Sequence, residues 1–324
     1  MESVQRATGS PATWMGIASY EEKGLARIGK IDEWLLDSLR VEADRLLSRP
    51  RQSRDRMLQF FTKKPYEHLV WTNPEGATIH YDLPGASPLL DAALAEILTQ
   101  QCVKETLLAT MGSGYRLWWS QFRRAHEGSR GLRMHQDLPG QTTLSILLED
   151  APDANGTTVL IPGSFRWAPV INSFPVLQPE HFGERGCGLT GAAGSMYLFS
   201  PTTWHGRAAR PRRDQTVLMM SFLPRDSRAM HRTPPESTFN RLPAALQDVF
   251  RSDSSQPETR PMTSDLEKLL TADFPVSLVS PWRFLMGPAW GVRRALRIKR
   301  KVAAFLAAQR EARRIPRSVI PGVT

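Results

Sequence analysis

His135, Gln136 and Asp137 stand together in the chain, and His205 lies far downstream, next to a stretch rich in arginine. Two imidazoles and one carboxylate are the ligand set of a facial triad. Three protein ligands on one face of an octahedral ion leave positions open, which points to non-haem Fe(II) and O2 chemistry. The spacing has a mechanical basis. On a β-strand, side chains at i and i+2 point to the same side. His135 and Asp137 are therefore expected to converge on one ion from a strand while Gln136 faces away, with His205 arriving from elsewhere. A bare His-x-Asp also fits two residues at a strand end bonded to their neighbours, so the surroundings must decide.

Those surroundings are strand-rich. Tyr115–Phe122 reads as a strand leading toward the triplet, and Thr142–Leu148 is an apolar β-type run after it. Asn155-Gly156 is a hairpin signal because both residues tolerate positive φ. Then come Thr157–Ile161, Pro162-Gly163-Ser164, and Gly194–Phe199 running into Ser200–His205. A further strand is expected over about residues 216–223. Short strands divided by Gly, Pro and Asn leave no room for long intervening helices, which favours an antiparallel jelly roll over a parallel α/β sheet. Upstream, Ile31, Leu35 and Leu39 predict an amphipathic helix over 28–49, and an Ala/Leu-rich stretch predicts a second helix over about 88–111. Between them, 69–72 and 77–81 are short β-type runs around a Pro-Glu-Gly turn. The expected fold class is mainly β (α+β), a double-stranded β-helix with flanking helices. Its domain would span 1–250, followed by a polar linker and connecting segment at 251–280 and a basic helical tail at 281–324. No internal repeat is evident.

In order, "MHQDLPG", "NGTTVLIPGSFRW", "GSMYLFSPTTWHG" and "RRDQTVLMMSFLP" resemble the phytanoyl-CoA dioxygenase-like family of Fe(II)/2-oxoglutarate-dependent oxygenases over roughly residues 115–225. The resemblance implies a dioxygenase using Fe(II), 2-oxoglutarate and O2, with His135, Asp137 and His205 as metal-binding and catalytic residues. It also implies hydroxylation of a small organic or lipid-like substrate, with succinate and CO2 as co-products. Two departures bear on ligand contacts. Phe165 stands where many members carry His, and Gly206-Arg207-Ala208-Ala209 stands where many place Asn or Ser.

In that family 2-oxoglutarate chelates iron through its keto and C1 carboxylate oxygens, while an Arg near the last core strand pairs with its distal carboxylate. A guanidinium suits this role because its planar fork binds carboxylate bidentately and stays charged. Arg210, Arg212 and Arg213 are the candidates. Strand parity puts Arg213 on the face of Gln215, Val217 and Met219, so Arg213 is the choice and Arg210 the reserve. Gln136, Thr143 and Ser145 are further co-substrate candidates. Trp118, Trp119, Trp167 and Trp204 read as packing residues, and His68, His80, His126, His181 and His231 as structural or surface histidines. Relatives that halogenate replace the carboxylate ligand with a small residue, so Asp137 favours hydroxylation. A zinc hydrolase would use the same ligand types, but no general base stands at a recognisable position. The reading from another class is an inactive jelly-roll binding or scaffold protein, held at a membrane surface by its tail.

The formal net charge of +10 is not spread evenly. Residues 281–324 hold eleven basic residues and one acid, leaving 31 of each sign in 1–280. The body is neutral, so the charge says nothing about the partners of the catalytic region. Within the tail, Val292, Leu296, Val302, Phe305 and Leu306 alternate with basic residues, the pattern of a helix on an anionic membrane surface, with Trp282, Phe284 and Trp290 as anchors. Nothing interleaves aromatic and basic residues as nucleic-acid binding would require. Cys102 and Cys187 form no framework. With no apolar run of about 18 residues and no signal-like N-terminus, a cytoplasmic protein acting on a small molecule is expected, peripheral to the inner membrane face through its tail.

Overall fold

The structure is a computed structural model that describes residues 16–63, 66–111, 114–137, 140–166, 179, 182, 185–225 and 232–251. In chain order the elements are α1 (Ile17–Lys23), β1 (Leu25–Lys30), α2 (Glu33–Leu47), α3 (Arg54–Lys63), β2 (Val70–Thr72), β3 (Ala77–Tyr81), α4 (Pro88–Thr99) and α5 (Gln101–Met111). They continue with β4 (Tyr115–Ala125), β5 (Leu132–His135), β6 (Thr142–Leu147), β7 (Thr158–Leu160), β8 (Cys187–Gly188), β9 (Ser195–Phe199), β10 (His205–Arg207), β11 (Gln215–Pro224), α6 (Glu236–Phe239) and α7 (Ala244–Phe250).

The strands form two antiparallel sheets. A seven-stranded sheet runs β1-β9-β6-β11-β4-β3-β2, and a four-stranded sheet runs β5-β10-β7-β8. From β4 onward the chain passes back and forth between them, so neighbours within a sheet are distant in sequence. Leu160 of β7 packs with Leu25, Leu147, Tyr197 and Phe199 of the large sheet, which sets the two sheets face to face. The other face of the large sheet buries Phe122, Leu144, Ile146, Leu198, Leu218, Met220 and Phe222 under α2, α4, α5 and α7. Alternate residues of one strand thus serve two different layers.

The expected helix over 28–49 is shorter than its pattern suggested. Ile31, Leu35 and Leu39 are indeed buried, but residues 25–30 form an edge strand paired with β9, irregular at Gly29. Pairing to an open sheet edge outweighs the weak local preference there. The helix over 88–111 begins as expected, with Pro88 in its first turn and the Ser87 Oγ accepting a hydrogen bond from Leu90 N. It divides at Gln100, whose ψ of 130° is extended, so α4 and α5 follow the sheet as two segments. No glycine or proline announces that break. Among the described residues no helix is long and apolar enough to cross a membrane. The linker after Arg251 and the basic tail, with its expected membrane contact, lie outside the described residues.

Candidate metal centre

β5 and β10 are neighbours in the small sheet, and His135 and His205 are directly opposite each other across that pair. The two rings sit 4.2 Å apart, centroid to centroid. Strand alternation was expected to deliver Asp137 too, but β5 ends at His135. Asp137 reaches the ion position from the segment beyond, where its backbone N–H donates to the Pro201 carbonyl at 2.8 Å. The Gln136 amide donates to the Thr202 carbonyl. The turn before His205 is thereby clasped to the end of β5, and Gln136 serves as a strut in it. Gly206 lets the strands approach, since a Cβ there would lie 2.6 Å from the Leu132 carbonyl oxygen and 2.9 Å from the Met134 sulfur.

The ligand atoms of His135, Asp137 and His205 all lie within 4.8 Å of one another. His205 Nε2 is 3.4 Å from one Asp137 oxygen, and His135 Nε2 is 3.8 Å from the other. Each imidazole is oriented from behind. His135 Nδ1 donates to the Arg133 carbonyl and His205 Nδ1 to the Thr203 carbonyl, both at 2.9 Å. Those bonds hold Nδ1 from behind and turn Nε2 toward the carboxylate, the outer-shell arrangement that metal-ligating histidines use. Burial, followed by the charge of His205, pushes His135 down to about 3, so its ring is neutral near pH 7. Burial alone would raise Asp137, but the hydrogen bond from His205 and the charges of His205, His135 and Arg123 hold it below the usual carboxylate range. A neutral His135 and an ionised Asp137 are the forms in which these groups bind a cation. The Asp137 side chain stays 29% exposed, so the centre opens to solvent on that side.

The remaining candidates divide. Arg213 is exposed, and its Nη2 donates to the Asp150 carbonyl at 2.7 Å, beyond the far end of β6 from the triad. Arg210 is exposed in a left-handed conformation, φ 54°, and Arg212 pairs with Asp153 on the surface. The fold brings none of the three to the triad. Thr143 and Ser145 do point between the sheets, their neighbours Leu144 and Ile146 facing the helices. Thr143 Oγ1 contacts Ser221 Oγ at 2.9 Å, while Ser145 Oγ is buried with no hydrogen-bond partner among the described residues. Trp204 is buried and anchored by its backbone N–H on Ser164 Oγ. Trp119 stacks against Phe60 and Tyr81, and Trp118 packs on Leu223. His68 contacts the Asp82 carbonyl, and His126 pairs with Asp214 and Thr78. His80 is fully buried. Trp167, His181 and His231 lie outside the described residues.

Arg207 and Arg123, which were not among the co-substrate candidates, stand on inner strands, the first buried and the second half-buried. Arg207 is buried, donating to Ser129 Oγ and to the Arg130 and Glu75 carbonyls. Burial first, then the charge of Arg123, lowers it to about 9, while Glu75 opposes them. Arg123, on β4, faces the same interior as Val217 and Ile79 beside it. The signal available in sequence was the alternation Trp119-x-Gln121-x-Arg123, which puts these polar groups on the face opposite Phe122.

The family model described as Phytanoyl-CoA dioxygenase (PhyH) matches residues 20–212, more than half of the chain. The chain belongs to the phytanoyl-CoA dioxygenase family. All three triad residues fall inside the phytanoyl-CoA dioxygenase match, and β11 lies beyond its end. No curated protein matches the sequence as a relative. Among solved structures, the epimerase SnoN in complex with Fe3+, alpha ketoglutarate and nogalamycin RO is 17% identical with a TM-score of 0.51, over 77% of this chain and 95% of that one. HygX from Streptomyces hygroscopicus with nickel, 2-oxoglutarate and hygromycin B is 15% identical with a TM-score of 0.47, over 65% and 88%. AviO1 from Streptomyces viridochromogenes Tue57 is 15% identical with a TM-score of 0.48, over 71% and 99%. At such identities the likeness concerns the fold alone.

Proposed function

We propose that this protein is an Fe(II)/2-oxoglutarate-dependent dioxygenase that hydroxylates a small organic or lipid-like substrate, with succinate and CO2 as co-products. The observation that carries the reading is the convergence of His135, Asp137 and His205, with both Nδ1 atoms engaged from behind and both Nε2 atoms turned toward Asp137. Membership of the phytanoyl-CoA dioxygenase family supports it. So does the passage of β4 to β11 between two facing sheets, which fits a double-stranded β-helix.

The donor set fits a hard-to-borderline divalent cation with open positions. Iron held there would supply the redox chemistry that couples oxidation of 2-oxoglutarate to oxygenation of the substrate. The chain's own contribution is positional. His135 and His205 would bind through Nε2, kept in register by the Arg133 and Thr203 carbonyls. Asp137 completes the face and balances charge, and its presence favours hydroxylation over halide transfer. The Gln136–Thr202 strut and the Asp137–Pro201 backbone bond keep the third ligand from swinging away. SnoN is described in complex with nogalamycin RO, which fits a small-molecule substrate here.

The test is anaerobic addition of Fe(II) and 2-oxoglutarate to the whole chain, followed by a screen of metabolites for stimulated succinate release. A weak visible charge-transfer band from the chelate is expected in the wild type and not in His135→Ala. No band in the wild type, or the same band in both, overturns the reading.

A further inference from the structure

We infer that Arg123 and Ser145 form the seat for the distal carboxylate of 2-oxoglutarate, above Val217 and Met219 at the centre of the large sheet; this rests on the functional reading above. Register places the four residues on three adjacent strands. Arg123 of β4 lies opposite Val217 of β11, and Met219 of β11 lies opposite Ser145 of β6. With strands about 4.8 Å apart, the guanidinium and the hydroxyl flank β11 from its two sides.

Three further observations make this a seat and not a packed wall. Its floor is open: Val217 and Met219 stay partly exposed, while Leu218 and Met220, on the helix side of the same strand, are completely buried. Its polar atoms are unsatisfied: Ser145 Oγ and Arg123 Nε are buried and have no hydrogen-bond partner among the described residues, and Arg123 makes no ion pair there. Buried polar groups are normally partnered, so two orphans facing one space call for a ligand that supplies acceptors. The face is also the right one, since it looks toward the small sheet that carries His135 and His205. Arg207, donating to one hydroxyl and two carbonyls, adds a buried cation whose charge and that of the half-buried Arg123 act on each other. Two such cations near each other favour an anion beside them.

The alternative position is vacant of charge. The inward residues of β11 are Gln215, Val217, Met219 and Ser221, none of them cationic, and Arg213 is directed to the Asp150 carbonyl. The strand next door supplies the guanidinium instead.

The experiment compares two 2-oxo acids of equal length. Both 2-oxoglutarate and 2-oxopentanoate can chelate the metal, but only the first has a distal carboxylate. Titrating each into the anaerobic Fe(II) protein, the wild type should prefer 2-oxoglutarate strongly. Arg123→Met should weaken 2-oxoglutarate by about 30-fold or more, as loss of a desolvated charge partner does, and leave 2-oxopentanoate within about twofold. Retained 2-oxopentanoate binding shows that the variant is folded and its metal centre intact. Arg123→Lys should recover part of the preference, Ser145→Ala should cost a few-fold, and Arg213→Ala should bind as the wild type does. Unchanged 2-oxoglutarate affinity in Arg123→Met, equal loss of both acids, or selective loss in Arg213→Ala overturns the seat. A wild type that binds neither acid overturns the functional reading, and the seat with it.

Discussion

The two faces of the seven-stranded sheet are built from the same strands and have almost opposite characters. Toward the helices, Phe122, Leu144, Ile146, Leu198, Leu218, Met220 and Phe222 are sealed from solvent in one apolar layer. Toward the small sheet, the residues between them include Gln121, Arg123, Thr143, Ser145 and Ser221, with Val217 and Met219 left partly open. A period of two lets one strand hold the fold with one set of side chains and present chemistry with the other. The helix-side layer gains from every apolar atom it removes from water. The inner face keeps unsatisfied polar groups, which stability alone would not select.

The largest effect that would separate the two faces is removal of a metal ligand. Asp137→Ala deletes a partly exposed carboxylate, so its chemical-denaturation midpoint should stay close to that of the wild type. Bound iron, measured by elemental analysis, and 2-oxoglutarate turnover should both fall below detection. Full iron occupancy in that variant would remove Asp137 from the ligand set.

Next come paired truncations on β11. Phe222→Ala, on the helix side, should cost about 3–5 kcal/mol of unfolding free energy because a fully buried ring leaves a cavity. Met219→Ala, on the inner face, should cost about 1 kcal/mol since part of that side chain already meets solvent. Affinity for the co-substrate should change in the opposite order, being altered by Met219→Ala and preserved in the folded fraction of Phe222→Ala. Equal stability losses in urea would mean that the inner face is as tightly packed as the outer one.

The metal ligands were legible in the sequence because their residue types are specific to a few chemistries and their order follows the strand pattern. The inner and outer faces of β6 and β11 followed from alternation as well. What misled was extending that parity past the strand's end. β11 begins at Gln215, and Asp214 is turned to accept the Glu127 backbone N–H and to pair with His126. That bend directs Arg213 outward, where it meets the Asp150 carbonyl. Parity has no force in a turn fixed by side-chain hydrogen bonds. Arg123 escaped notice for the converse reason: it lies on a strand with no motif of its own, and its meaning comes from the strands that flank it. The edge strand β1 was hidden by an apolar period that continues into α2, where only the sheet partner distinguishes the two.

A histidine departs from the apolar character of the helix-side layer. His80 on β3 lies opposite Phe122, is fully buried, and has neither ring nitrogen hydrogen-bonded among the described residues. Burial, followed by the positive charges of His68, Arg49 and Arg45, lowers it to about 3. A free histidine titrates near 6.5, so between those values the unfolded chain binds a proton that the folded chain refuses. The stabilising contribution is therefore complete above about pH 6.5 and is lost as pH falls toward 3. At pH 5 this one group should cost about 2 kcal/mol relative to pH 7.5, by the same linkage. His80→Leu removes the titration and continues the apolar layer, so its stability should decline less over that interval. Urea denaturation of both proteins at pH 7.5 and pH 5 measures the difference directly. His135 adds its own acid sensitivity equally to both chains, and the comparison cancels it. If the two proteins lose the same stability on acidification, His80 is not held neutral by the helix-side layer, and the contrast between the faces fails at that residue.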